Sequence, residues 1–156
     1  MSTTVTVPDG FHYVAPAFVS TIFLLYGQNL LVSKYRKRSG IAYPQMYADK
    51  AQAEESNEAN LFNCAQRAHQ NTLENIPIIY TATIVTALKY PVFAASTLGF
   101  WTLSRVSYTR GYMTGDPKGR MTILYIIGML LSFAVMGTSA YISGEWLYRG
   151  IASKVL

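Results

Sequence analysis

Arg67, Asn71 and Glu74 stand at i, i+4 and i+7 within FNCAQRAHQNTLENIP, residues 62–77. On a helix that spacing gathers a guanidinium, an amide and a carboxylate on one face, and Ile78 continues the stripe. Farther along, Arg105, Tyr108 and Tyr112 follow i, i+3, i+7 and share a second face. A guanidinium grips carboxylates through parallel hydrogen bonds, and a carboxylate takes an ammonium. Brought together, the two faces suit a small zwitterion with several carboxylates and an amine. A purely structural account also fits, with Arg67 paired to Glu74 and Arg105 extending to lipid headgroups. The spacing leaves both readings open. His69 and Gln70 point elsewhere, since two positions turn a helix by about 200°.

The element that positions the first face is unusual. Directly after Pro77 the chain reads IIYTATIVTAL, so the polar stretch opens a helix that enters a membrane. Charges and amides are expensive at that depth and require partners or a ligand. The whole chain of 156 residues is 51% hydrophobic and only 13% charged, against about one quarter charged in a soluble domain. Its mean hydropathy is +0.18. Four apolar segments are expected as helices, at about 13–33, 61–88, 92–112 and 121–143, each reaching the ~20 residues that span the hydrocarbon core. Pro91 opens the third, and Gly115-Asp116-Pro117 is a turn before the fourth. DKAQAEESNEAN, residues 49–60, reads as a solvated loop or a helix end in water.

The net charge of +5 does not indicate nucleic acid, because the cations fall between apolar segments. Lys34, Arg36, Lys37, Arg38, Lys50, Arg110, Lys118 and Arg120 flank the first and third connections, against Lys89, Arg149 and Lys154 on the other side. The positive-inside rule then makes those two connections cytoplasmic. MSTTVTVPDGFHY lacks the basic start of a cleaved signal peptide, so the first apolar segment is expected to remain. A lone cysteine, Cys64, excludes an intrachain disulfide and a cysteine-based metal site, and with only two distant histidines no zinc site is expected. Cys64 reads as a small packing residue, and Gln28 and Asn29 as interhelical hydrogen-bonding groups. The expected fold is an all-α membrane protein, a four-transmembrane-helix bundle in a single domain over residues 1–156.

FNCAQRAHQNTLENIP resembles the second-helix signature of the MAPEG family, the membrane-associated proteins of eicosanoid and glutathione metabolism. VSKYRKRSGIAYPQMY and SRVSYTRGYMTGDPKGR are similar to the segments that follow the family's first and third helices. The likeness is strongest to the microsomal glutathione S-transferase type 3 branch and runs from about residue 20 to 143. It implies a homotrimer in the endoplasmic reticulum or another internal membrane, with glutathione bound between subunits near the cytoplasmic face. Arg67, Asn71 and Glu74 match the family's glutathione-holding residues, as do Arg105 and Tyr112. Tyr108 matches a third-helix tyrosine, and Arg36 a basic residue after the first helix. His69 falls where leukotriene C4 synthase has a glutamine, and Asn75 where it has a tyrosine. Arg120 matches the arginine that activates the thiol; the loop before it is one residue longer, which leaves Lys118 as the alternative.

The implied chemistry is glutathione thiolate attacking a lipophilic electrophile or a lipid hydroperoxide that arrives through the bilayer. Leukotriene-C4-synthase-like conjugation and peroxidase turnover both fall within it. The competing reading is a non-catalytic lipid-binding scaffold, as the five-lipoxygenase-activating protein is within the same family. Retention of Arg67, Asn71, Glu74 and Tyr112 as a set favours the enzyme. His69, placed away from the first face, is expected to lack a partner within its own bundle and to reach a neighbouring subunit's ligand together with Arg36.

Overall fold

The computed structural model describes residues 7–155, without the side chains of 154 and 155. Residues 1–6, part of the segment that lacks a basic start, and the side chain of Lys154, one of the cations in the topology count, therefore lie outside the described residues. Within them the chain is helical, with no strand. α1 spans Val14–Ser39, α2 Lys50–Glu55, α3 Asn57–Ala87, α4 Pro91–Tyr112 and α5 Ile123–Val155. Single 3-10 turns precede α1, at Phe11–Tyr13, and α5, at Pro117–Arg120.

The four long helices pack as one bundle, and its composition is inverted relative to a soluble core. The interior is built from small and hydroxyl residues such as Ala65, Ala68, Ala94, Thr72, Thr83 and Ser104, all buried. The outside carries Phe23, Leu103, Leu130 and Phe133, each about 60–70% exposed. Small residues let helix backbones approach where lipid removes the usual hydrophobic drive. Several buried hydroxyls bond their own helix: Thr72 donates to Ala68 O at 2.9 Å, and Thr102 to Leu98 O at 3.0 Å, whereas Thr83 Oγ1 has no partner among the described residues. Gly128 shows how tight the contact is, since a Cβ there would lie 2.2 Å from Ser104 Oγ. Two helices, Phe11–Ser39 and Ile123–Ser153, are long and apolar enough to cross a membrane. α3 and α4 have the length, at 31 and 22 residues, but more polar surface.

Several boundaries differ from the sequence reading, each for a local reason. α1 continues to Ser39 through the basic run, because Arg36, Lys37 and Arg38 complement the negative end of the helix dipole. It stops at Gly40, whose φ of 70° is left-handed. The stretch after it is not a loose loop. Asp49 and Gln52 form a reciprocal capping box that starts α2, and Ser56 caps α3. Asn63 on α3 holds Ala48 from both sides, accepting from its N–H at 2.8 Å and donating to its carbonyl at 2.9 Å. α5 runs about three turns past residue 143. There Glu145 pairs with Arg149 at 2.6 Å and with Lys89 at 2.5 Å, tying the extension to the end of α3.

Candidate functional site

α3 enters the bundle from the capped end, and its polar face turns along the edge shared with α4. Arg67 Nη1 lies 3.1 Å from Glu74 Oε1, and Asn71 Nδ2 approaches the other carboxylate oxygen at 3.5 Å. Asn71 Oδ1 in turn accepts from Arg105 Nη1 at 2.8 Å. Residues from two helices thus form one hydrogen-bonded run: guanidinium, carboxylate, amide, guanidinium. Its two ends differ sharply in setting. The Arg67 and Glu74 side chains are 44% and 47% exposed, whereas Arg105 is 3% exposed.

Arg105 has no carboxylate partner among the described residues. Its charge is held by aromatic faces instead, with the guanidinium carbon 5.2 Å from the Trp101 ring, 4.9 Å from Tyr108 and 5.7 Å from Tyr125. Tyr108 stacks edge-on to Tyr112 at 5.1 Å and against Tyr125 at 4.7 Å. Cys64 is buried among Ala68, Tyr108 and Tyr112, where it packs. Arg120 stands at the far side of this row, its guanidinium 5.6 Å from the Tyr112 ring and one Nη donating to Pro117 O at 2.5 Å. Lys118 is exposed and makes no side-chain hydrogen bond or ion pair among the described residues.

Three contributors were not read from the sequence. Tyr125, from the start of α5, completes the aromatic cage and carried no periodic signal. Trp101 stands one turn before Arg105, at i and i+4, and that register was the available clue. Tyr47, in the loop after α1, donates its hydroxyl to Gln70 Oε1 next to Arg67. Burial raises the Tyr47 phenol above the ordinary tyrosine value, while a hydrogen bond and the charge of Arg67 pull the other way. Below Arg105, a cleft of about 210 Å³ opens between α3, α4 and α5, walled by Asn75, Trp101, Ser104, Tyr125 and Phe133.

Arg36 and His69 lie away from this run within the chain. Arg36 is buried between the rings of Tyr43 and Phe62, at 4.2 and 4.5 Å, and donates to the carbonyls of Gln45 at 2.7 Å and Ile41 at 3.3 Å. Its Nε is buried without a partner among the described residues. His69 does not lack a partner in its own bundle, contrary to the expectation from spacing. Its Nδ1 is 3.4 Å from Gln28 Oε1, and Gln28 Nε2 donates to Thr109 at 2.8 Å and Thr72 at 3.0 Å. Spacing along α3 cannot announce Gln28, which comes from α1 and packs over that second polar surface. Asn29, by contrast, is exposed.

No cluster of metal-ligating side chains occurs among the described residues. The arrangement can hold a charged ligand beside apolar walls. A family model described as the MAPEG family matches residues 14–141.

Proposed function

The chain belongs to the MAPEG family, and on that premise we propose that it is a membrane glutathione transferase or peroxidase. Its substrates are lipophilic electrophiles or lipid hydroperoxides. The family is membrane-associated, uses glutathione, and includes both glutathione transferases and non-catalytic members. The observation that carries the catalytic reading is the hydrogen-bonded run Arg67–Glu74–Asn71–Arg105 beside the tyrosine row.

Glutathione presents two carboxylates, one ammonium and two peptide groups, and the run supplies a partner for each kind. Arg67 and Arg105 take carboxylates, Glu74 the ammonium and Asn71 a peptide group, with Tyr112 alongside. Exchanging the Arg67–Glu74 pair for ligand contacts costs little, because half-exposed pairs contribute about 0–1 kcal/mol. Arg105 gains the anion that its buried charge lacks.

The thiol then needs a cation, since a nearby guanidinium favours thiolate. Arg120 is assigned that role and Tyr108 that of hydrogen-bond donor to the reacting atoms, with Lys118 as the second candidate cation. The thiolate sulfur bonds to an epoxide or enone carbon while a proton reaches the departing or neighbouring oxygen. With a hydroperoxide it attacks the terminal oxygen instead; the O–O bond breaks, the alkoxide takes a proton and leaves as the alcohol, and a second glutathione thiol displaces water from the sulfenic acid to give the disulfide. The cleft under Arg105 offers an apolar wall for the electrophile.

The assembly proposed is a homotrimer of four-span subunits, with the connections around Arg36–Lys50 and Arg110–Arg120 cytoplasmic, in the endoplasmic reticulum or another internal membrane. α3 and α4 fall short in apolarity because they carry the ligand-facing residues. Arg36 and His69 are assigned to a neighbouring subunit's ligand on the family likeness, which for Arg36 requires the Tyr43 ring to move off the guanidinium. Thermal unfolding with glutathione tests the reading. A ligand at a hundred times its Kd adds about 2.7 kcal/mol to a fold that binds it only when native. Glutathione is expected to raise the Tm and cysteinylglycine, which lacks the γ-glutamyl group, is not. No shift at millimolar glutathione supports the lipid-binding scaffold instead.

A further inference from the structure

The outer edge of α4 runs between two grooves, and one cation lines both. The first groove, about 240 Å³, lies between α1 and α4, with Phe23, Leu31 and Val106 on its walls and Arg110 at its rim. Gly27 also lines it, and a Cβ there would meet nothing within 4 Å, so the space beside it is empty. The second, about 630 Å³, lies between α4 and α5, passing Leu103, Val106 and Leu124. Its polar groups gather toward the C-terminal end of α4, where Arg110 is joined by Ser107, Thr114 and Thr122. Leu103 and Val106, on the ridge between the grooves, are 62% and 44% exposed.

Arg110 differs from the other arginines. Arg36 and Arg120 donate to carbonyls, Arg105 to Asn71, and Arg38, Arg67 and Arg149 pair with glutamates. Arg110 is exposed and has no such partner among the described residues. It also lies two residues before Tyr112, the last of α4, which in a spanning helix is the boundary between hydrocarbon and headgroups. A lone cation at that level, above two apolar channels, is complementary to an amphiphile with an anionic head and two chains.

We propose that the α4 edge binds one anionic diacyl phospholipid, its phosphate on Arg110 and one acyl chain in each groove. The site is distinct from the Arg67–Arg105 run and depends only on the chain residing in a membrane. The test uses the full chain, purified in detergent, with co-purified lipid counted by mass spectrometry. Melting is then followed with added phosphatidylglycerol, phosphatidylcholine or inorganic phosphate. Phosphatidylglycerol is expected to be retained and to raise the Tm above phosphatidylcholine, with inorganic phosphate inert. Arg110→Gln weakens retention about fivefold, the worth of one cation near an anionic headgroup, and Arg110→Lys restores most of it. Gly27→Phe, which fills the first groove and leaves the charge alone, also weakens retention. The thermal response to glutathione stays intact in all three variants, so failure here is separable from failure of the transferase reading. Unchanged retention in Arg110→Gln and Gly27→Phe overturns the site, as does equal preference for phosphatidylcholine. An equal shift with inorganic phosphate, or cross-linking of a second copy through Leu103, does so too.

Discussion

At Glu74 the structural and the ligand-binding accounts of one residue part company in magnitude. The carboxylate pairs with Arg67 at 3.1 Å with both side chains nearly half exposed, a setting worth at most about 1 kcal/mol. Glu74→Gln is therefore expected to leave the Tm without ligand almost unchanged while weakening glutathione binding by tenfold or more, about 1.4 kcal/mol. Calorimetric titration beside a melting curve reads both quantities, and a large loss of stability with unaltered affinity would return Glu74 to a purely structural role. Arg120 is the other residue whose role is open to a direct trial. Its guanidinium already faces the Tyr112 ring, so Arg120→Ala is expected to lower turnover about a hundredfold, as loss of a transition-state electrostatic partner does, with little change in glutathione affinity. Lys118→Ala is expected to be near wild type; the reverse pattern would exchange the two assignments.

Among the elements, α5 depends on a contact with no spare room. Gly128 meets Ser104 so closely that any side chain must push the helices apart, and overpacking of this kind costs about 1–3 kcal/mol. Gly128→Val is predicted to lower the Tm and to loosen Tyr125, one turn earlier on α5, from Arg105 and Tyr108. Loss of stability with glutathione binding intact would show that the aromatic cage does not need α5 in register. The polar junction around Gln28 works differently. One amide reaches Thr72, Thr109 and His69 and so joins α1, α3 and α4 at once. Hydroxyls that also bond their own helix, as Thr72 and Thr109 do, keep that junction satisfied without water.

For the whole molecule, the exposed half of the Arg67–Arg105 run is the feature that calls for a neighbour. Arg67 and Glu74 face out of the bundle with nearly half of each side chain exposed, and a second subunit would cover them. Cyclic symmetry repeats that cover for every copy. Mixed assemblies probe it: chains carrying Arg67→Ala are co-expressed with chains carrying both Arg36→Ala and His69→Ala, each inactive alone. Sites shared across a boundary recover part of the activity in the mixture. Recovery is absent if the Gln28 and loop contacts of His69 and Arg36 exhaust their function.

By itself the sequence determined the helical class and the membrane setting. The spacing of Arg67, Asn71 and Glu74 on one face was equally legible, because a 3.6-residue repeat and a shortage of charge are local properties. The same local logic located Pro91 as a helix start and the Gly115–Pro117 turn. Helix ends were less legible, since α1 and α5 run on where dipole and i,i+4 pairing favour them and no proline intervenes. What only the tertiary structure decided is which surfaces meet. His69 acquires Gln28 from a helix 41 residues away in sequence, and Tyr125 joins a cage started by Trp101 and Arg105 on another helix. No periodicity along α3 can announce a group that arrives from α1 or α5, because packing between helices is set by shape and approach distance rather than by the repeat within either one.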